Sequence, residues 1–197
     1  VKSQRLGHML KQHRFAALAA IGILVIGGSV AVYSGASFNY KTSNPANTFT
    51  AGNLSHSNSK DGAAILTADK MKPGQSTSGT VVITNNGDID GVFSMAKGAV
   101  SQTAGPNGGQ LYSVLDLKIV DVTVPSSPVT KYDGDLNAFT GLDSTALGGT
   151  WTPGTARTYE FTVTFPDGGT PGSNTTGDNQ YKSSSCTVEF LWTSVQS

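Results

Sequence analysis

Few groups in this 197-residue sequence could do chemistry: three histidines, one cysteine and thirteen acidic residues. A zinc hydrolase needs two or three histidine or carboxylate ligands converging on one ion. His8 and His13 lie in a basic stretch at the start, which leaves His56 alone in the remainder. The only glutamates, Glu160 and Glu189, are far from it, and no H-E-x-x-H occurs. His56 therefore reads as a surface residue without ligand partners. Cys186 shares its alternation with Val188, Phe190 and Trp192. A reactive thiol wants an exposed, electropositive setting, so Cys186 reads as a buried thiol behaving like a small apolar residue.

Two acidic runs can be held against the pattern of a calcium loop. In Asn86-Gly87-Asp88-Ile89-Asp90-Gly91 the sixth-position glycine of such a loop is present. The first position should be acidic and is Asn86, and the twelfth should be Glu and is Lys97. A hairpin turn explains the run better. Asp133, Asp135 and Asn137 alternate similarly, but Ala138 stands where the glycine belongs. No G-x-S-x-G is present, and no Gly-rich loop joins a strand to a helix with a phosphate-binding lysine. These residues predict no metal, no cofactor and no catalytic set, hence no enzyme.

The elements that would carry these groups follow from composition. Charged residues are 13% of the chain, about half the usual share, and Gly is high at 24. With glutamate almost absent and Ser and Thr abundant, this is poor helix material and good strand-and-turn material. Residues 158–165 alternate, with Tyr159, Phe161, Val163 and Phe165 on one face, and residues 185–194 alternate again. Further strands are expected at 48–54, 63–66, 80–84, 91–95 and within 111–124. Turns fall at Lys72-Pro73-Gly74 and Asn85-Asn86-Gly87, with loops at 104–110, 133–150 and 167–179. Short strands between turn clusters, without long helical periods, predict an all-β antiparallel β-sandwich with long loops, of jelly-roll topology.

The first 36 residues read as an address. Residues 2–14 are basic, with Lys2, Arg5, Lys11 and Arg14, and residues 15–33 are apolar, interrupted by Gly27-Gly28-Ser29. Ser34-Gly35-Ala36 puts small residues before a cut between Ala36 and Ser37, completing the order of a secretory signal. The competing reading is an uncleaved anchor over 15–33, which is just long enough to span. Residues 37–197 then hold nine basic and thirteen acidic residues, a net charge of −4 with no footprint for nucleic acid. They suit one sandwich domain over 48–197, preceded by a polar and aromatic segment at 37–47.

Three stretches stand in a telling order. The first is Gly35-Ala36-Ser37-Phe38-Asn39 followed by Thr48-Phe49-Thr50-Ala51-Gly52-Asn53-Leu54. The second is Met71-Lys72-Pro73-Gly74 leading to Val81-Val82-Ile83-Thr84-Asn85-Asn86-Gly87. The third is Asn179-Gln180-Tyr181 before the final alternating run. Together they resemble the TasA/camelysin family of exported bacterial proteins. Met71 replaces the usual Leu of that family's turn, and residues 100–155 are not matched. The resemblance implies export, cutting by a dedicated signal peptidase, a jelly-roll fold and assembly into extracellular fibres of a biofilm matrix. It also implies that the mature N-terminal segment of one subunit adds as a strand to the next. Here that donor strand would be Ser37, Phe38, Asn39, Tyr40, Lys41 and Thr42.

The expectation is thus a secreted or surface-associated homopolymer that meets the membrane only through its signal. A monomeric surface adhesin or binding module is the alternative. A camelysin-like metalloprotease is a third reading, for which this sequence offers no ligand set.

Overall fold

The computed structural model describes residues 50–169 and 172–197. All of the described strands lie in the unit Thr50–Ser197. They are β1 (His56–Asn58), β2 (Ser76–Asn85), β3 (Gly91–Thr103), β4 (Asp116–Asp121), β5 (Val129–Asp135), β6 (Gly141–Leu142), β7 (Thr150–Trp151), β8 (Ala156–Thr164) and β9 (Ser185–Gln196). Every ladder is antiparallel.

One sheet has the order β1-β2-β8-β4-β5, and the other is built on β3. Met95 pairs with Leu142 of β6 and also with Trp192 of β9, and Gly91 pairs with Trp151 of β7 and Gln196 of β9. A residue has one partner on each side, so β6 and β7 share one edge of β3 and β9 takes the other. The chain crosses between sheets after β2, β3, β5, β7 and β8. This is the antiparallel sandwich with long loops that the turn spacing predicts.

Alternation fills the core. Val81 and Ile83 of β2, Phe93 and Met95 of β3, Leu117 and Ile119 of β4, and Tyr159, Phe161 and Val163 of β8 all face inward and are buried. Phe93 stacks on Trp151 with ring centroids 4.2 Å apart. Burial of each such side chain contributes about 1.5–3 kcal/mol.

Several local expectations are corrected. Residues 50–54 form no strand, while Thr48 and Phe49 lie outside the described residues; the first strand is β1 instead. Residues 63–66 are also not a strand. The 111–124 run begins with a 3₁₀ turn at Leu111–Ser113, and its strand is only Asp116–Asp121. The connection after Asn85 is not a hairpin, because β2 and β3 lie in different sheets. Asn85 holds this crossing in place. Its fully buried amide donates to the Ile89 and Trp151 carbonyls and accepts from the Gly87 N–H, holding the turn across the sandwich end.

Candidate functional site

The two alternating runs end in different surroundings. β8 sits between β2 and β4, so its inward residues Tyr159 and Phe161 are sealed at 0% exposure. β9 pairs with β3 along one side, and among the described residues no strand pairs with its other side. Its inward residues Cys186, Val188, Phe190 and Trp192 pack against the core yet remain partly exposed. β9 is thus a twelve-residue edge strand with an aromatic face left partly uncovered.

Two clefts follow that face. One, of about 400 Å³, lies between β9 and the stretch from β1 onward, with His56, Ile65, Val188, Phe190 and Trp192 in its lining. The other, of about 720 Å³, lies at the start of β9 among Met71, Leu111, Phe165, Tyr181 and Cys186. Lysines Lys70, Lys72 and Lys182 and the carboxylate of Asp178 also border this second cleft.

The polar atoms along the face are few. Trp192 Nε1 and the Tyr159 hydroxyl are buried without a hydrogen-bond partner among the described residues. Their rings lie 5.4 Å apart. Burial pushes the Tyr159 phenol well above its usual value, the nearby Asp121 carboxylate pushes it further, and Arg157 opposes both. Burial likewise pushes the Cys186 thiol up, as befits a thiol facing apolar neighbours. A group so shifted is a poor nucleophile.

The other residues singled out from the sequence are not brought together. His56 is half-buried rather than a free surface residue. Its Nδ1 is 2.8 Å from the Ser194 hydroxyl, and its ring meets Phe93 edge-on at 5.8 Å. Asp88 accepts a 2.5 Å hydrogen bond from the Asn53 N–H, a use that ties the 86–91 turn to the preceding strand-free segment. Asp133 forms a 2.8 Å ion pair with Lys118, and the Asp135 carbonyl accepts from the Tyr132 hydroxyl. Among the described residues no group of three or more His, Cys, Asp or Glu side chains could hold a metal ion. The cut site Ala36–Ser37 and the donor residues Ser37, Phe38, Asn39, Tyr40, Lys41 and Thr42 lie outside the described residues.

Sequence reasoning found the apolar face of β9 but missed its bare edge and the segment lying over it. The available signal was Gly79, in phase with Val81 and Ile83 on the inward face of β2. A glycine at an inward strand position marks a close approach by other backbone.

No protein-family model matches the sequence, and no curated protein matches it.

Proposed function

We propose that this chain is an exported structural subunit that polymerises head to tail, residues 37–47 of one copy adding as a strand along the free edge of β9 in the next. The observation that carries this reading is that edge: a long row of main-chain groups with no strand partner among the described residues, beside a partly uncovered aromatic face. Exposed edges are aggregation hazards that proteins ordinarily blunt with charge, proline or a covering element. β9 contains no proline, no lysine and a single acid, Glu189.

The incoming segment suits such an edge. Strand addition draws affinity from main-chain hydrogen bonds and specificity from alternate side chains. Phe38 and Tyr40 alternate with Ser37, Asn39 and Lys41, so an added strand would present both rings on one face. Trp192 Nε1 is a buried donor without an acceptor among the described residues. Burying the two rings contributes about 1.5–3 kcal/mol each before ordering costs. Donation from one copy to the next does not close on itself, so it grows a filament. The partner is the chain itself, after a signal peptidase has cut it from the membrane, and the place is outside the cell. No cofactor, nucleic acid or catalysis enters this reading.

The test is electron microscopy of the protein beginning at Ser37, beside one beginning at Thr48 and a Phe38→Asp, Tyr40→Asp double variant. The first should form fibres. The others should stay folded by circular dichroism and form only particles. Fibres from the Thr48 form would overturn strand donation. Particles from all three would point to a monomeric surface module.

A further inference from the structure

The open side of the sandwich is occupied by part of the same chain. Between β1 and β2 the polypeptide runs across the gap facing β9. Gly79 faces between the sheets, and a Cβ there would lie 2.1 Å from the Ile65 carbonyl oxygen. Ile65, Leu66 and Met71 pack against the core while remaining partly exposed, and Ile65 shares a cleft wall with Phe190 and Trp192. This stretch therefore puts apolar side chains where an added strand would put its own.

Its hold is one-sided. At one end the Ser59 N–H donates to the Val82 carbonyl and the Ser59 hydroxyl accepts from the Val82 N–H. At the other end the Gly74 N–H donates to the Phe165 carbonyl. Between them, among the described residues, the main chain of residues 64–71 makes no hydrogen bond to the rest of the protein. Left-handed backbone stands near both ends, at Gly62 (φ 68°) and at Lys70 (φ 56°) with Gly74 (φ 80°). A lysine in that region is uncommon and stays there only while its surroundings hold it.

We infer that residues 63–71 are a displaceable strap that covers the β9 groove in the free subunit and must lift for strand addition. The inference rests on the proposed strand donation and adds its regulation. A strap whose residues 64–71 are held by apolar contacts competes with the inward side chains of an added strand, but cannot match its ladder of main-chain hydrogen bonds. While it is down, the groove is open in only a fraction of molecules, and apparent affinity for a donor falls by that fraction. Free subunits are thereby kept from polymerising at once.

The experiment takes the full mature chain carrying Phe38→Asp and Tyr40→Asp, so that its own segment is disabled, and adds a synthetic peptide of residues 37–47. Hydrogen exchange is read at β9, and tryptic cleavage after Lys70 reads the strap. The peptide should slow exchange in β9 and speed cleavage after Lys70. An Ile65→Asp, Leu66→Asp variant, and separately Gly79→Val, should bind the peptide about tenfold more tightly, as an open fraction near one tenth would give. Binding confined to the opened variants also supports the strap. Protection of β9 with no change in cleavage after Lys70, or equal affinity in the opened variants, overturns the strap and leaves strand donation standing. No protection of β9 in any of the proteins overturns strand donation, and the strap with it.

Discussion

The Asn85 side chain donates a 2.9 Å hydrogen bond to the carbonyl of Trp151, and that bond joins the two sheets. Asn85 ends β2 in one sheet, and Trp151 lies in β7 of the other. The Asn85 main chain meanwhile extends the β2–β8 pairing within its own sheet, its N–H donating to the Thr155 carbonyl and its own carbonyl accepting from the Gly154 N–H. A buried polar side chain is tolerated here because its partners are also buried and would otherwise be orphaned.

Asn85→Ala should therefore cost stability out of proportion to its size. It leaves the Trp151 and Ile89 carbonyls and the Gly87 N–H without their side-chain partner. The expected loss is about 2–4 kcal/mol, since each unsatisfied buried group costs about 1–3 and the turn can relax in part. Urea unfolding followed by circular dichroism measures it. A loss below about 0.5 kcal/mol, the range of ordinary surface changes, would contradict the role given to this residue.

Tyr159 should make the fold sensitive to alkali. Its phenol is held above the usual value of 10.0, chiefly by burial. The folded chain then keeps that proton to a higher pH than the unfolded chain does, so its stabilising effect is complete below pH 10 and falls as pH rises further. Tyr159→Phe should abolish that part of the alkaline loss. Near neutrality it should be close to neutral or slightly stabilising, because the hydroxyl is buried without a partner among the described residues. Urea midpoints at neutral pH and above pH 10 for both proteins decide the matter. Identical alkaline slopes would exclude Tyr159 as the cause.

His56→Ala should cost the fold stability. The substitution removes a hydrogen bond to Ser194 and an edge contact with Phe93, worth about 1 kcal/mol together. EDTA should change neither the thermal midpoint nor the circular dichroism of the parent protein. A stoichiometric zinc ion, lost on His56→Ala together with a peptidase activity, would refute this and restore the metalloprotease reading.

Processing should fall between Ala36 and Ser37. Mass spectrometry of the protein recovered outside the cell should find Ser37 at the N-terminus. A surface-bound form that keeps residues 15–33 would establish the anchor instead.

What the sequence made legible was governed by side-chain period. Tyr159, Phe161 and Val163, like Val188, Phe190 and Trp192, announce their strands because alternate positions meet the core. β5 escaped notice because Val129–Asp135 is a polar edge strand whose residues are mostly exposed or half-buried. Ile65 and Leu66 misled in the opposite sense. Their apolar character is used for packing, but their backbone joins no ladder. The bare side of β9 was hidden for a different reason. Whether a strand lies at an edge depends on strand order, and strand order is not written in any one strand.

The pairing of β3 with β9 also sets a timetable. The two strands meet from Gly91↔Gln196 to Thr103↔Ser185, partners roughly a hundred residues apart along the chain. Contacts so distant in sequence put folding at the slow end for a small domain, about milliseconds to seconds. A polypeptide emerging N-terminal end first presents β3 long before β9 exists to pair with it. Until residues 185–196 arrive, the second sheet has, among the described residues, only the two-residue strands β6 and β7 along β3. The second sheet thus cannot lock until residues 185–196 have been made.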